Sequence, residues 1–215
     1  VKTTTFAEDS WKTIAAAIEN GQLDAYPVGS TKTLKVYDNP NGETTNGTYK
    51  EYTVRVANNT TPPECNDNNF SQTACGFVVE FADIVENRQM NLTNTNVGGW
   101  ESSEMRKYLN GDTDDHMTYN DTTNGPTATF FSKLPKELRD VIENTKVVSG
   151  HGSTTGETNF TSTDKIYLLS AHEVWEDGTS NQVSTYDTAW DKTRRLDYYK
   201  NLGVTTSSYS GAIKK

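Results

Sequence analysis

Basic residues, aliphatic residues and long apolar runs are all scarce in this sequence, and each shortage narrows the range of possible functions. The chain carries 20 lysines and arginines against 29 aspartates and glutamates over 215 residues, a formal net charge of -9. Nucleic-acid binding needs basic residues that neutralise phosphates, so this balance argues against it. No apolar run approaches the roughly 18 residues that span a bilayer, so we expect no membrane insertion of this segment.

The aliphatic shortage also bears on whether the chain folds at all. Leucine, isoleucine, valine and phenylalanine together supply 38 of the 215 residues, a fraction low enough to raise the question of disorder. However, aromatic residues make up 10% of the chain, and nine net charges spread over this length repel one another only weakly. We therefore expect a folded protein with an aromatic-rich core.

Cysteine is nearly absent, whereas threonine, asparagine and serine together number 68. This composition favours strands, turns and caps over helix interiors, and it is typical of secreted or cell-surface proteins. The chain has two cysteines, Cys65 and Cys75, and they are close in sequence, so we predict that they form a disulfide. Such a bond would stabilise the fold by roughly 3 kcal/mol. Two unrelated buried thiols are the alternative. No signal peptide precedes Val1, so we expect that one was removed or that the chain is a piece of a longer protein.

Residue patterns predict an α+β fold with a mixed, mainly antiparallel sheet and about five helices. Ser10 can cap a first helix from Trp11 to Glu19, and Gly21 follows its end. The other predicted helices lie near residues 101–109, 135–142, 171–175 and 188–200. The predicted strands are 31–37, 51–57, 76–85, 146–148 and 165–169, and 76–85 reads as a central strand buried on both faces.

The domain division follows from the same elements. Residues 1–60, a helix and a β-hairpin, are predicted to form a semi-separate N-terminal lobe, and residues 61–215 the main α+β domain. One continuous domain is the alternative. Long polar loops at 38–48, 111–127 and 150–163 would form a recognition surface, with 111–127 as the most mobile insertion.

Motifs for catalysis fail when their spacing is checked. His172 and Glu173 begin an H-E-x-x-H pattern, but Glu176 stands where the second histidine is needed. The glycine-rich stretch 150–156 lacks the helix start and lysine of a phosphate cradle. The pairs Glu101/Glu104 and Glu173/Glu176 are helix neighbours, better suited to capping than to glycoside hydrolysis. We therefore predict no catalytic residues, no cofactor and a non-enzymatic protein.

Two sets of residues are candidate ligand sites. Asp112, Asp114, Asp115 and Asp121 offer oxygen ligands that suit calcium, although the EF-hand pattern is not met and an exposed acidic loop is the default interpretation. The aromatic residues Trp175, Trp190 and Tyr198 are candidate ligand-binding residues that would stack on a carbohydrate, with core packing as the alternative for tryptophan.

Two motifs carry a family resemblance. Trp100-x-x-Ser103-x-Met105-Arg106-x-Tyr108-Leu109-Asn110 matches W-x-x-S-x-[LM]-R-x-[WY]-L-N, and Asp164-Lys165-Ile166-Tyr167-Leu168-Leu169-Ser170, followed by Glu173, matches D-K-[IVL]-[FY]-L-L-S-x-x-E. Over residues 50–215 the chain thus resembles an uncharacterised domain family of Gram-positive gut bacteria, whose members are surface or secreted proteins. The resemblance implies a C-type-lectin-like fold and a closing W-W-L-R-S segment, which this sequence does not contain.

Together, these observations favour a non-enzymatic extracellular adhesion or recognition module of a bacterial surface protein. Its partner would be a host or cell-surface glycan or protein, since the acidic balance suits neutral glycans or basic protein patches. A structural subunit of an extracellular filament or surface layer, by self-assembly, is the second hypothesis. A hydrolase acting on glycans is the third. We interpret the two family motifs themselves as architectural.

Overall fold

The computed structural model describes residues 1–154, 156, 158–175 and 188–204. The helices and strands in these ranges form an α+β fold of five short α-helices and seven strands, all antiparallel, which confirms the predicted fold class. In chain order they are α1 (Trp11–Glu19), β1 (Thr31–Tyr37), β2 (Tyr49–Thr60), β3 (Gly76–Phe81), α2 (Glu104–Asn110), β4 (Thr118–Asp121), β5 (Gly125–Ala128), α3 (Lys136–Arg139), β6 (Thr145–Ser149), β7 (Phe160–Asp164), α4 (Ala171–Val174) and α5 (Asp197–Leu202).

The N-terminal elements form as the sequence predicts. The Ser10 side chain accepts a hydrogen bond from the Thr13 backbone N–H and caps α1, whose buried face carries Trp11 and Ile14. β1 and β2 pair as an antiparallel hairpin whose register places Leu34 opposite Tyr52. Local signals were sufficient here because a cap, a helical apolar stripe and alternating strands all agree.

The third predicted strand differs from the structure in length and position. β3 ends at Phe81 rather than Val85, and in the order β1–β2–β3 it lies at the edge of the sheet. β2 is the central strand instead, and its residues from Val54 to Asn58 are all buried. One sheet therefore contains strands from both sides of the predicted boundary at residue 60, since β2 pairs with β1 on one side and with β3 on the other.

Two separate hairpins complete the strands, β4 with β5 and β6 with β7. The first overlaps the predicted loop 111–127, which is wrong where the two strands form, and Tyr119 packs in the core. The predicted strand 165–169 is also wrong, since β7 precedes it at Phe160–Asp164. The predicted helix 188–200 is a short 3-10 turn at Trp190–Lys192 followed by α5.

One large aromatic-rich core holds these elements together, as the composition suggests. It joins Phe6, Trp11 and Tyr26 near the N-terminus to Tyr108 and Phe130 near the middle of the chain. A smaller cluster packs α5 against the opposite face of the three-stranded sheet through Ala57 and Tyr199. No helix in the described part of the chain is long and apolar enough to cross a membrane.

The predicted disulfide is confirmed. Cys65 and Cys75 are bonded, with their Cα atoms 5.9 Å apart. The bond closes the loop that leads from β2 into β3. A disulfide is compatible with an extracellular protein, since such bonds persist in oxidising compartments.

Candidate functional site

The described residues form a half-open cleft of about 830 Å³, called here the apolar cleft. It lies between α1, the outer edge of β3, the helices α2 and α3, and the segment 165–175. Its lining is mostly aliphatic and aromatic, a composition typical of binding sites. The main contributors are Ile14, Ile18, Phe77, Val79, Phe81, Ile84, Val85, Met105, Leu138, Ile142, Ile166, Leu168, Leu169, Val174 and Trp175.

One wall of the apolar cleft is the edge of β3. Successive side chains of a strand point to opposite faces, so Val79 and Phe81 pack on the large core while Val78 packs on the smaller cluster. Residues from both faces nevertheless line the cleft. This arrangement means that the cleft runs along the strand edge rather than over one face of the sheet.

The opposite wall is positioned by the two family motifs, which bind each other. Asn110, the last residue of α2, accepts hydrogen bonds at its Oδ1 from the backbone N–H groups of Lys165 (2.7 Å) and Ile166 (2.9 Å). Its Nδ2 donates to the Ile166 carbonyl at 2.7 Å. The Tyr167 hydroxyl then donates to the Thr73 carbonyl at 2.9 Å. These bonds fix residues 165–167 without a strand ladder, which is a structural role for Asn110 and Tyr167.

A buried polar network lies on the face of β3 that packs against α5. Arg55 Nε lies 2.7 Å from Glu80 Oε1, and the Tyr199 hydroxyl donates to the same carboxylate at 3.0 Å. Burial and the Glu80 charge both raise the pKa of Tyr199, so its hydroxyl stays protonated and acts as a donor. Burial opposes the charge of Arg55, but Glu80 outweighs it and raises the pKa of Arg55.

The mouth of the apolar cleft is acidic. Glu19, Asp83 and Glu143 are exposed and line the cleft. No ion pair joins any of these three carboxylates to another described residue. Of the two basic residues in the lining, Lys165 donates to the Ile142 carbonyl at 2.6 Å, and Arg88 lies over the Tyr108 ring. The cleft therefore presents a negative rim around an apolar interior.

Tyr108 also lines the apolar cleft. Its hydroxyl donates to Glu86 Oε2 at 2.7 Å, while the Arg88 guanidinium carbon lies 3.6 Å from the ring centroid. Burial raises the pKa of Tyr108, and the hydrogen bond to Glu86 raises it further. Tyr108 is therefore a neutral donor at physiological pH rather than a base.

The three aromatic candidates do not form one surface. Trp175 lines the apolar cleft, whereas Trp190 and Tyr198 do not. His172 stacks on Trp190, with ring centroids 4.2 Å apart, and Arg55 covers a face of Tyr198 at 4.0 Å. Their role in ligand binding stays a prediction, but only Trp175 lies in the cleft.

The four aspartates of the predicted calcium site mostly stabilise turns. Asp112 accepts the Asn120 backbone N–H, Asp115 accepts Met117 N–H, and Asp121 accepts Thr123 N–H. These backbone bonds lower the pKa of Asp115 and of Asp121. Asp114 lines a small depression beside Asp115. Within the described ranges, no group of three histidine, cysteine, aspartate or glutamate side chains is placed to hold a metal ion.

The predicted recognition loops lie away from the apolar cleft. None of the described residues in 38–48, 111–127 or 150–163 contributes to its lining. The start of the loop 150–163 packs on another loop instead, where a Cβ on Gly152, at φ +62°, would lie 1.9 Å from the Asn96 carbonyl oxygen. Residues 155 and 157 of that loop, and Glu176, lie outside the described residues.

Sequence reasoning missed the apolar cleft itself. Its clearest signal was the apolar run from Phe77 to Val85, together with Leu168 and Leu169 in the second motif. We interpreted both stretches as buried strands. The structure instead leaves Ile84 and Leu168 exposed, at 64% and 47%. Exposed apolar side chains that adjoin one cleft mark an interaction surface.

Comparisons with known proteins point to a family but not to an activity. A family model described as a domain of unknown function (DUF6273) matches residues 77–210, well over half of the chain. Those residues include all of β3 except Gly76, and both motifs. No curated protein and no solved structure matches the chain.

Proposed function

This chain belongs to the DUF6273 family, and from its geometry we propose that it is a non-enzymatic recognition module of a secreted or cell-surface bacterial protein. The partner would be held in the apolar cleft. The extracellular location is supported by the threonine- and asparagine-rich composition and by the Cys65–Cys75 bond. The bacterial origin rests on the family resemblance of the two motifs.

The observation that carries the proposal is the apolar lining of the cleft, in which Ile84 and Leu168 are exposed to solvent. A soluble protein that leaves such a surface open loses the stabilisation of about 25 cal/mol per Å² that burial would give. A partner that covers Ile84, Leu168 and their neighbours recovers it. The cleft therefore offers contact area with a negative rim, which suits binding.

Among the predicted partners, the geometry favours a protein over a glycan. Carbohydrate recognition uses open aromatic faces, but His172 covers one face of Trp190 and Arg55 covers one face of Tyr198. Apart from its acidic rim, the cleft is lined mainly by aliphatic and aromatic side chains, which do not hydrogen-bond to sugar hydroxyls. An apolar stretch of polypeptide fits it better.

The structural-subunit hypothesis remains the second candidate, because one observation favours it. β3 is an edge strand, and edge strands pair with other chains. Two copies could join edge to edge and extend the sheet. The net charge of -9 on each copy opposes this association.

A matched pair of variants tests the proposed function. Leu168 lines the cleft at 47% exposure, whereas Leu202 is 59% exposed on α5 and does not line it. The full chain on beads is offered a panel of purified extracellular proteins and neutral glycans. We expect Leu168→Asp to abolish retention of the protein that binds and Leu202→Asp to preserve it. Equal retention by both variants, or hydrolysis of a panel member, contradicts the proposal.

A further inference from the structure

We infer that the apolar cleft binds an extended polypeptide segment, which adds to β3 as a fourth strand and carries basic residues beside its apolar stretch. The inference rests on the proposed function and names the class of partner for the same site. It follows from three independent features: unpaired backbone groups on β3, unpaired backbone groups on the facing wall, and the charge of the rim.

The register of the sheet shows which backbone groups of β3 point outward. The Ala82 N–H donates to the Thr53 carbonyl at 2.9 Å, so Ala82 faces β2. Hydrogen-bonded pairs alternate along an antiparallel ladder, so Glu80 also faces β2 while Val79 and Phe81 face away. Val79 lies opposite Val56 in β2. The Val56 N–H donates to the Ser30 carbonyl at 2.9 Å, so it points away from β3, as expected for a pair that is not hydrogen-bonded.

These outward groups are unsatisfied within the described chain. No residue in the described ranges bonds the backbone of Val79 or Phe81 from the outer side. Together they present two donors and two acceptors at strand spacing. A second extended chain satisfies all of them at once, which is the recognition mode of strand addition.

The facing wall has the same character. Residues 167–169 follow β7 but are neither helical nor paired in a ladder. Their backbone groups have no hydrogen-bond partner among the described residues, whereas Lys165 and Ile166 just before them are bonded by Asn110. A segment lying in the cleft would therefore meet unpaired backbone on both sides.

The side chains of the cleft set the pattern of the guest. Val79 and Phe81 on one face of β3, and Val78 with Leu169 and Val174 on the other, are all apolar. An added strand places alternate residues on each face, and both faces are apolar here, so β-branched or aliphatic residues fit at successive positions. A polar helix or a sugar would not meet this pattern.

The rim adds a charge requirement. Glu19, Asp83 and Glu143 are exposed acidic residues at the mouth, and no described cation pairs with them. Lysine or arginine next to the apolar stretch of the guest would complement them. A second copy of this acidic chain would bring like charge to the same rim, so a different, basic polypeptide is the better occupant.

A designed peptide tests this directly. The probe is a fluorescein-labelled peptide of alternating valine and threonine with lysines at both ends, bound to the full disulfide-bonded chain and followed by fluorescence anisotropy. We expect binding that weakens with added salt. A peptide of the same sequence with N-methyl groups on every valine and threonine amide cannot donate to β3 in any register, and should bind about tenfold more weakly or not at all. Equal affinity of the two peptides overturns the inference.

Two variants at Val79 test whether its backbone N–H contributes to peptide binding. Val79→Pro removes an outward N–H together with the valine side chain, and proline is tolerated on the open side of an edge strand. Val79→Ala shortens the side chain but keeps that N–H. We expect the proline variant to lose peptide binding about tenfold more than the alanine variant. The N-methyl comparison uses unaltered protein, so it decides the matter even if the proline variant unfolds.

Other outcomes separate this inference from the proposed function. If Leu168→Asp abolishes retention of a panel protein but the peptide does not bind, the recognition function stands and strand addition is wrong. If the unaltered chain dimerises in sedimentation and Val79→Pro makes it monomeric, the occupant is a second copy and the inference is overturned. If neither Leu168→Asp nor the peptide shows an effect, both proposals fail.

Discussion

Arg106 Nε donates to Asp164 Oδ1 at 2.6 Å, which joins the two family motifs across 58 residues of sequence. The other oxygen of Asp164 accepts hydrogen bonds from Trp100 Nε1 at 2.9 Å and Ser162 Oγ at 2.7 Å. The Asp164 side chain is fully buried. This contact fixes the end of β7 against α2, and the cleft wall begins at the next residue.

Loss of the Asp164 charge should destabilise the fold strongly. Asp164→Asn keeps the shape but leaves Arg106 without its counter-charge, so we expect the free energy of unfolding to fall by about 3 kcal/mol in chemical denaturation. Asp140→Asn is the control, since its ion pair with Lys136 is exposed. That change should cost less than about 0.5 kcal/mol. Similar losses in the two variants would show that the buried pair is not special.

Asn110 should control the order of the cleft wall. Asn110→Ala removes the hydrogen bonds to Lys165 and Ile166, so the unbonded amides should exchange with deuterium faster. We expect a loss of about 2 kcal/mol in stability, because buried backbone groups are left unsatisfied. Asn124→Ala, in an exposed turn, is the control and should change neither quantity. Unchanged exchange at Lys165 and Ile166 would contradict the positioning role of Asn110.

The disulfide should stabilise the chain through the loop that it closes. Replacing both Cys65 and Cys75 with serine is expected to lower the free energy of unfolding by roughly 3 kcal/mol. Alkylation and mass spectrometry of the unreduced protein should find no free thiol. If both cysteines are alkylated in protein isolated from the organism that makes it, the proposed oxidising location is contradicted.

The stability of the N-terminal region should depend on acid pH through Asp9. Hydrogen bonds from Thr4 and Tyr26 lower the pKa of Asp9 below its ordinary value of 3.8. Because the pKa of Asp9 is lower in the folded chain than in the unfolded chain, its ionised form stabilises the fold at pH values above the unfolded pKa. This stabilisation is lost as the pH falls through the pKa of Asp9 in the folded chain.

Tyr26→Phe removes one of these bonds and isolates the effect. We expect its melting temperature to lie below that of the unaltered chain at pH 7, with the gap narrowing once Asp9 protonates below pH 3.8. Tyr49→Phe, at an exposed tyrosine, controls for the loss of a hydroxyl. A gap that stays constant across the acid range would show that Asp9 is not the linked group.

The sequence was informative where local signals suffice and misleading where neighbours decide. The cap at Ser10 and the alternation in β1 identified the first helix and hairpin. β7 was missed because its inward residues are Ser162 and Asp164, so polar groups occupy the positions where apolar ones mark a strand. Their partners, Arg106 and Trp100, are distant in sequence and could not be paired by spacing alone.

The apolar cleft could not be predicted for a similar reason. An apolar run such as Phe77–Phe81 looks the same in a central and an edge strand, because the difference lies in whether another strand pairs with it. The polar loops were predicted to form the recognition surface, but the exposed apolar surface lies on other segments. Leu168 and Leu169 in the second motif are apolar enough for a strand, but they line the cleft instead.

Amide hydrogen exchange at β3 is the most direct test of recognition at the apolar cleft. In the free chain the outward amides of Val79 and Phe81 should exchange quickly, while the Glu80 amide, bonded to β2, serves as the internal reference. With the lysine-flanked valine–threonine peptide bound, we predict that exchange at Val79 and Phe81 slows by about tenfold or more while Glu80 changes little. Unchanged exchange at Val79 and Phe81 under saturating peptide would contradict the account.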